Sequence, residues 1–275
     1  MPLIAAADGT RLFHRSQGDG PPILFAHEFG GDWRSWDAQV DDLSDRFRCI
    51  RYCARGVLPS DVPAKAERYG QEQSTTDLAT LADWLGLQSF HLVGCSMGSY
   101  SSLMYAITHR DRLASLTLVG CSSGPEDGDA RNRYREDLRR QIELLDSQGG
   151  DGALAWLEAD GAYRRLSEKV PAAWCAYKDR LRHQSVEGAR RTLETLHWNR
   201  QPLHCFESAL RGLTVPTLLV YGEEDHPLVR PTNAYLGDVV PTARVISLPK
   251  TGHLVQIEEP ELFNAYLSEH VGATA

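Results

Sequence analysis

A serine, a histidine and a carboxylate stand in this chain at positions where they can work as one unit. Gly94-Cys95-Ser96-Met97-Gly98 puts a hydroxyl between two glycines, after the apolar run at 90–94 and before a helical pattern at 99–107. A strand-to-helix turn needs glycine on both sides because backbones approach closely there, and it holds the serine hydroxyl out above the sheet. The helix that follows offers unpaired N–H groups to a developing negative charge. A serine hydroxyl is a poor nucleophile until a base removes its proton. Of the ten histidines, His253 is the best placed base, because Thr251-Gly252-His253 follows the last apolar run. Ligand sites of open α/β sheets lie at that end of the strands. His91 reads as a strand residue, His109 as the end of the helix after the serine, and His14 and His270 as surface residues. His183, His197 and His204 fall in a helical stretch from which they could reach a substrate.

The base needs an acceptor for its second ring nitrogen, which fixes the tautomer and stabilises the imidazolium. Asp225 closes the acidic cluster Glu223-Glu224-Asp225 that runs off the apolar segment 217–221. Glu223 and Glu224 are the alternatives and read as solvated. Two backbone N–H groups must meet the oxyanion. One belongs to Met97, and the other to Phe29 in the loop His27-Glu28-Phe29-Gly30-Gly31-Asp32, which follows the run 23–26. Losing one such donor raises the barrier by about 2.7–4 kcal/mol.

These groups need a scaffold. Continuous apolar runs at 23–26, 49–52, 90–94, 116–119, 217–221 and 244–248 predict strands buried on both faces. Segments 3–6 and 11–15 flank Asp8-Gly9, a hairpin signal. Residues 74–85 place Leu78, Leu81, Ala82 and Leu85 on one helical face, with Ser74 as N-cap. Alternating strands and helices predict an α/β fold, a parallel sheet covered on both faces. The alternation stops after Gly124. Helical patterns at 131–145, 152–158, 172–181 and 186–198 then replace strands, which predicts a core of 1–124 and 212–275 with a helical lid of 125–211. Trp156, Trp174 and Trp198 in the lid, with His27 and Glu28 in the loop, are candidate substrate contacts. The arginines at 131–140 and Arg164-Arg165 either attract an anionic substrate or pair with nearby carboxylates.

Composition narrows the classes. The 275 residues are 42% hydrophobic and 24% charged, as in a globular protein. The net charge of -8 argues against a nucleic-acid partner. No apolar run approaches the ~20 residues that span a bilayer, and the N-terminus lacks a signal-peptide pattern. The six cysteines follow neither metal-ligand nor disulfide-framework spacing. The expectation is a cytoplasmic protein with reduced thiols; the sequence sets no oligomeric state.

Over essentially its whole length the chain resembles the α/β-hydrolase superfamily. Phe25 to Trp36 is similar to the family's His-Gly oxyanion loop, Tyr52-Cys-Ala-Arg-Gly-Val-Leu-Pro-Ser60 to its Asp-x-Arg-Gly-x-Gly-x-Ser segment, and Pro249 to Pro260 to the closing segment of lid-bearing members. Those members include enol-lactone hydrolases and hydrolases of meta-ring-fission products. The resemblance implies an eight-stranded, mostly parallel sheet. It also implies hydrolysis through an acyl-enzyme on Ser96, with His253 as base, Asp225 as its orienter, the amides of Phe29 and Met97 as oxyanion hole, and no metal or organic cofactor. The leading substrate is a small carboxylic ester or lactone. The alternatives are hydrolysis of a carbon–carbon bond beside a ketone, or a non-catalytic ligand-binding role. Two residues depart from the pattern. Glu28 stands where the family has glycine, and a carboxylate there would oppose the oxyanion. It is expected to point away and pair with a cation or to sit protonated; a bolder reading gives it a role in substrate positioning or proton transfer. Cys53 replaces an aspartate, which leaves Arg55 needing another partner, with Glu28 as a candidate.

Overall fold

The computed structural model describes residues 2–274. One sheet holds β1 (Leu3–Ala5), β2 (Arg11–Gln17), β3 (Pro22–Ala26), β4 (Arg48–Tyr52), β5 (Phe90–Cys95), β6 (Leu113–Val119), β7 (Thr217–Gly222) and β8 (Ala243–Leu248). Their spatial order is β1-β2-β4-β3-β5-β6-β7-β8. β1 and β2 form the hairpin around Asp8-Gly9, and β2 joins β4 antiparallel. Every other pairing is parallel.

The helices of the first part are α1 (Asp37–Leu43), α2 (Gln71–Trp84) and α3 (Met97–His109). Between β6 and β7 lie α4 (Gly128–Gln148), α5 (Gly150–Ala159), α6 (Arg164–Lys169), α7 (Pro171–Arg182), α8 (Val186–Thr192) and α9 (Glu207–Arg211). α10 (Val229–Val239), α11 (Val255–Glu258) and α12 (Pro260–Gly272) complete the chain.

The unbroken apolar strands are explained by what covers them. Side chains alternate across a strand. Leu24, Ile50, Leu92, Leu118 and Leu219 pack with Leu81 of α2, Leu103 of α3 and Leu236 of α10. Their neighbours Ile23, Phe25, Val93, Val119, Leu218 and Val220 pack on the other face with Val40 and Leu43 of α1 and Phe263 and Leu267 of α12. Both faces are therefore dry, and each fully buried aliphatic chain contributes about 1.5–3 kcal/mol. The six cysteines are free, four of them buried.

Several expectations are corrected. α2 begins at Gln71, not Ser74; Gly70 is its N-cap and Ser74 bonds Ser101 through their hydroxyls at 2.8 Å. His14 is buried, its ring 5.5 Å from that of Trp84, and His270 is half-buried with Nε2 3.2 Å from the Leu116 carbonyl. Arg55 does not pair with Glu28. It makes a bidentate contact with Asp77 at 2.6 and 2.7 Å and reaches Asp8 at 2.9 Å, so those carboxylates are its partners.

Candidate active site

Ser96 follows β5 and stands as N-cap of α3 with φ 51° and ψ −109°. A non-glycine residue there is strained, and the turn that imposes it has no room for a side chain at either glycine. A Cβ on Gly94 would overlap the Gly98 carbonyl, and one on Gly98 would overlap the backbone of Ala26 in β3. The Ser96 N–H donates to the Val119 carbonyl at 2.8 Å, while its side chain makes no capping bond and remains available.

His253 follows β8, and its loop is held from both sides. Its own N–H donates to the Ala162 carbonyl at 2.9 Å. The amides of its neighbours Gly252 and Leu254 donate to the Glu258 carboxylate at 2.7 and 3.2 Å. Asp225 follows β7, and its Oδ1 lies 2.7 Å from His253 Nδ1. That bond places the proton on Nδ1 and leaves Nε2 with the lone pair of a base. Burial alone would lower the His253 pKa, but the charge and hydrogen bond of Asp225, helped by Asp160 and Glu28, outweigh it and raise it above its ordinary value. Gly120, with φ +55°, makes room for the pair: a Cβ there would stand 3.2 Å from Asp225 Oδ2 and 3.3 Å from the His253 ring. Sequence reasoning missed Gly120 and Glu258. The Gly-Cys after β6 and the Glu-Glu-Pro after His253 are visible in the chain, but only the fold brings them to this loop pair.

Ser96 and His253 line one cavity of about 120 Å³ together with Phe29, Ser122, Trp156 and Tyr163. Met97 is the first residue of α3, so its N–H has no partner within the helix. The Phe29 N–H likewise has no protein acceptor among the described residues. The Phe29 loop is tethered from the helical stretch, where Tyr177 donates to the Phe29 carbonyl at 3.3 Å and Gln184 to Gly31 at 2.8 Å.

The remaining candidates sort by position. His27 does not line the cavity. Its Nε2 accepts the Ala54 N–H at 3.0 Å, so its Nδ1 carries the proton and donates to the Glu28 carbonyl at 2.7 Å. His27 thus shapes the loop. Glu28 is fully buried outside the cavity, with Oε1 accepting from Ser35 at 2.7 Å and Oε2 unpartnered among the described residues. The expected cation beside it is absent among those residues. Trp156 lines the cavity, but Trp174 stacks on Tyr177 and Trp198 lies under the guanidinium groups of Arg135 and Arg139, so these two are packing residues. His197 reaches the cavity; His183 and His204 are exposed elsewhere. Arg165 is engaged by Glu224 at 2.7 Å and Arg164 by the same carboxylate at 3.4 Å, so these arginines tie the helical stretch between β6 and β7 to the acidic loop. Arg200, on the cavity wall, was not singled out by its sequence neighbourhood.

Among the described residues no cluster of three or more potential metal ligands occurs, and no helix is long and apolar enough to cross a membrane.

A protein of Bacillus subtilis (strain 168), provisionally named 2-succinyl-6-hydroxy-2,4-cyclohexadiene-1-carboxylate synthase, is 28% identical over 272 residues, 97% of this chain and 96% of that protein. A thermophilic esterase from Thermogutta terrifontis, solved with malate bound, superposes with TM-score 0.85 at 26% identity, covering 99% of this chain and 98% of that one. The enol-lactonase of Burkholderia xenovorans LB400 has the same fold, with TM-score 0.85 and 24% identity over 98% of this chain and 100% of that one. The family description for the alpha/beta hydrolase fold matches residues 21–260, and the chain belongs to that family.

Proposed function

We propose that this chain is a serine hydrolase that cleaves a small carboxylic ester or lactone through an acyl-enzyme. Ser96 Oγ attacks the carbonyl while His253 Nε2 takes its proton. The amides of Phe29 and Met97 receive the oxyanion. His253 then returns the proton to the departing alcohol, and a water activated by the same nitrogen releases the acid. One observation carries the reading: a serine in a strained strand-to-helix turn faces the same cavity as a histidine whose other nitrogen is bonded to Asp225. The cavity, about 120 Å³, is below the ~300–1,000 Å³ of pockets for drug-sized ligands, which favours a compact substrate. The stretch 125–211 acts as the lid between core segments 1–124 and 212–275.

Hydrolysis of p-nitrophenyl butyrate tests this reading. The wild type should release nitrophenol steadily, and Ser96→Ala should lower kcat by about 10⁴-fold or more. Equal rates in the two proteins would refute it. A second reading, a synthase-type reaction at the same residues, has the 28% identity to the Bacillus protein behind it. A Ser96 that is labelled by an active-site probe yet turns over no ester would favour that second reading.

A further inference from the structure

Arg200 is the unexplained charge of the site. It is 8% exposed, lines the cavity that holds Ser96 and His253, and belongs to neither the nucleophile nor the base machinery. Its Nη1 donates to the Ser122 hydroxyl at 3.0 Å, and its Nε and Nη2 have no acceptor among the described residues. Its guanidinium carbon lies 4.9 Å from the centre of the Tyr100 ring. No carboxylate among the described residues pairs with it. A buried charge without a partner costs several kcal/mol unless something else compensates it.

The residue is held by the core. Its N–H donates to the His197 carbonyl at 3.2 Å, at the end of a π-helical turn (Leu193–His197). The next residue, Gln201, accepts from the Tyr100 hydroxyl at 2.7 Å and from the Gly124 N–H at 3.2 Å. A Cβ on Gly124 would overlap the Arg200 carbonyl, so the two segments are in direct contact. The arginine is thus fixed in the wall where the lid rejoins the sheet.

Asp137 and Asp160 share the wall, but neither forms an ion pair with Arg200. Asp160 accepts from the Ala162 N–H at 3.0 Å, and Asp137, half-buried, accepts from Gln141 at 2.9 Å. His197 is held neutral, its pKa pushed well below the ordinary value by burial and by Arg200 itself. His253 and Asp225 form the pair already described, and His226 at the rim is exposed.

We propose that Arg200 binds a carboxylate carried by the substrate, away from the carbonyl that Ser96 attacks. This rests on the hydrolase reading and narrows it to half-esters of dicarboxylic acids and to lactones bearing an acid. Arginine suits the task because its planar fork matches a carboxylate and keeps its charge when buried.

The test compares the mono-p-nitrophenyl ester of glutaric acid with p-nitrophenyl pentanoate, which replaces the carboxylate by methyl. Wild-type kcat/KM should favour the glutarate ester by about tenfold or more, and Arg200→Gln should bring the ratio toward unity, with Arg200→Lys between. Equal or reversed preference in the wild type, or a preference that survives Arg200→Gln, would overturn the proposal. So would a preference for the matching 4-aminobutyrate ester, which would assign the wall to Asp137. Calorimetric titration of glutarate and glutaramide into the wild type is independent of turnover and of variant folding. Glutarate should bind at least about tenfold more tightly, and equal binding would also overturn the proposal. If no ester is turned over and Ser96 takes no fluorophosphonate label, the hydrolase reading fails, and the titration still decides the role of Arg200.

Discussion

His253 Nδ1 and Asp225 Oδ1 are 2.7 Å apart, and the aspartate side chain is almost wholly enclosed. Burial would favour the neutral imidazole, yet Asp225 reverses the balance and raises the pKa of His253 above 6.5. The base acts only when deprotonated, so kcat/KM should rise with pH and reach half its plateau above pH 6.5. Asp225→Asn removes the largest group that raises the pKa and lets Nδ1 lose its proton-bearing tautomer. The acid limb should move to lower pH while the plateau falls by about 10⁴-fold. A full plateau in Asp225→Asn would mean that another group orients the histidine.

Glu28 is tested through the same histidine. Its charge is one of the contributions that raise His253, although it makes no contact with the ring and lies outside the cavity. Glu28→Gln should therefore shift the acid limb of the pH profile downward. An unchanged profile would reduce Glu28 to a packing residue under the Phe29 loop, bonded to Ser35.

Gly120 predicts a separation of activity from stability. An alanine there adopts a left-handed backbone, which costs about 1–2 kcal/mol. Its methyl also presses on Asp225 and His253. Gly120→Ala should lose a modest amount of stability in urea unfolding and about tenfold or more in kcat, since small displacements of catalytic groups are expensive. A kcat unchanged in the folded variant would contradict the packing described for the pair.

The pair Arg55–Asp77 ties the loop after β4 to α2. Burial would lower the Arg55 pKa, but Asp77 and Asp8 outweigh it and keep the guanidinium charged. Asp77→Asn leaves a buried cation short of its main partner and should cost about 3–5 kcal/mol. Asp8 is 31% exposed on the same arginine, and Asp8→Asn should cost only about 0–1 kcal/mol. Unfolding in urea measures both; similar losses would show that Arg55 does not depend on the buried contact.

The strands, the hairpin and the serine turn were legible because their signals are local. Apolar runs of strand length, Asp-Gly between two such runs, and two glycines around Ser96 each state their geometry within ten residues. Asp225 and His253 were legible from their place after strands. The partner of Arg55 was not, since Asp77 sits on the buried face of a helix whose start was misplaced by Ser74. Trp174 and Trp198 were misread for a related reason. An aromatic residue in a lid packs within the lid as readily as it faces a substrate, and only the packing of Tyr177, Arg135 and Arg139 distinguishes the two. Arg200 was lost among 29 basic residues, most of which make surface pairs; its burial is a property of the place where the helical stretch rejoins the sheet.

The central claim is that Ser96 is the nucleophile. Incubation with a fluorophosphonate, followed by digestion and peptide mass mapping, tests it most directly. The account predicts a single covalent adduct on Ser96, formed faster as pH rises through the His253 pKa and absent in Ser96→Ala. An unmodified Ser96 in the folded wild type, or an adduct that forms on another serine and persists in Ser96→Ala, would contradict it.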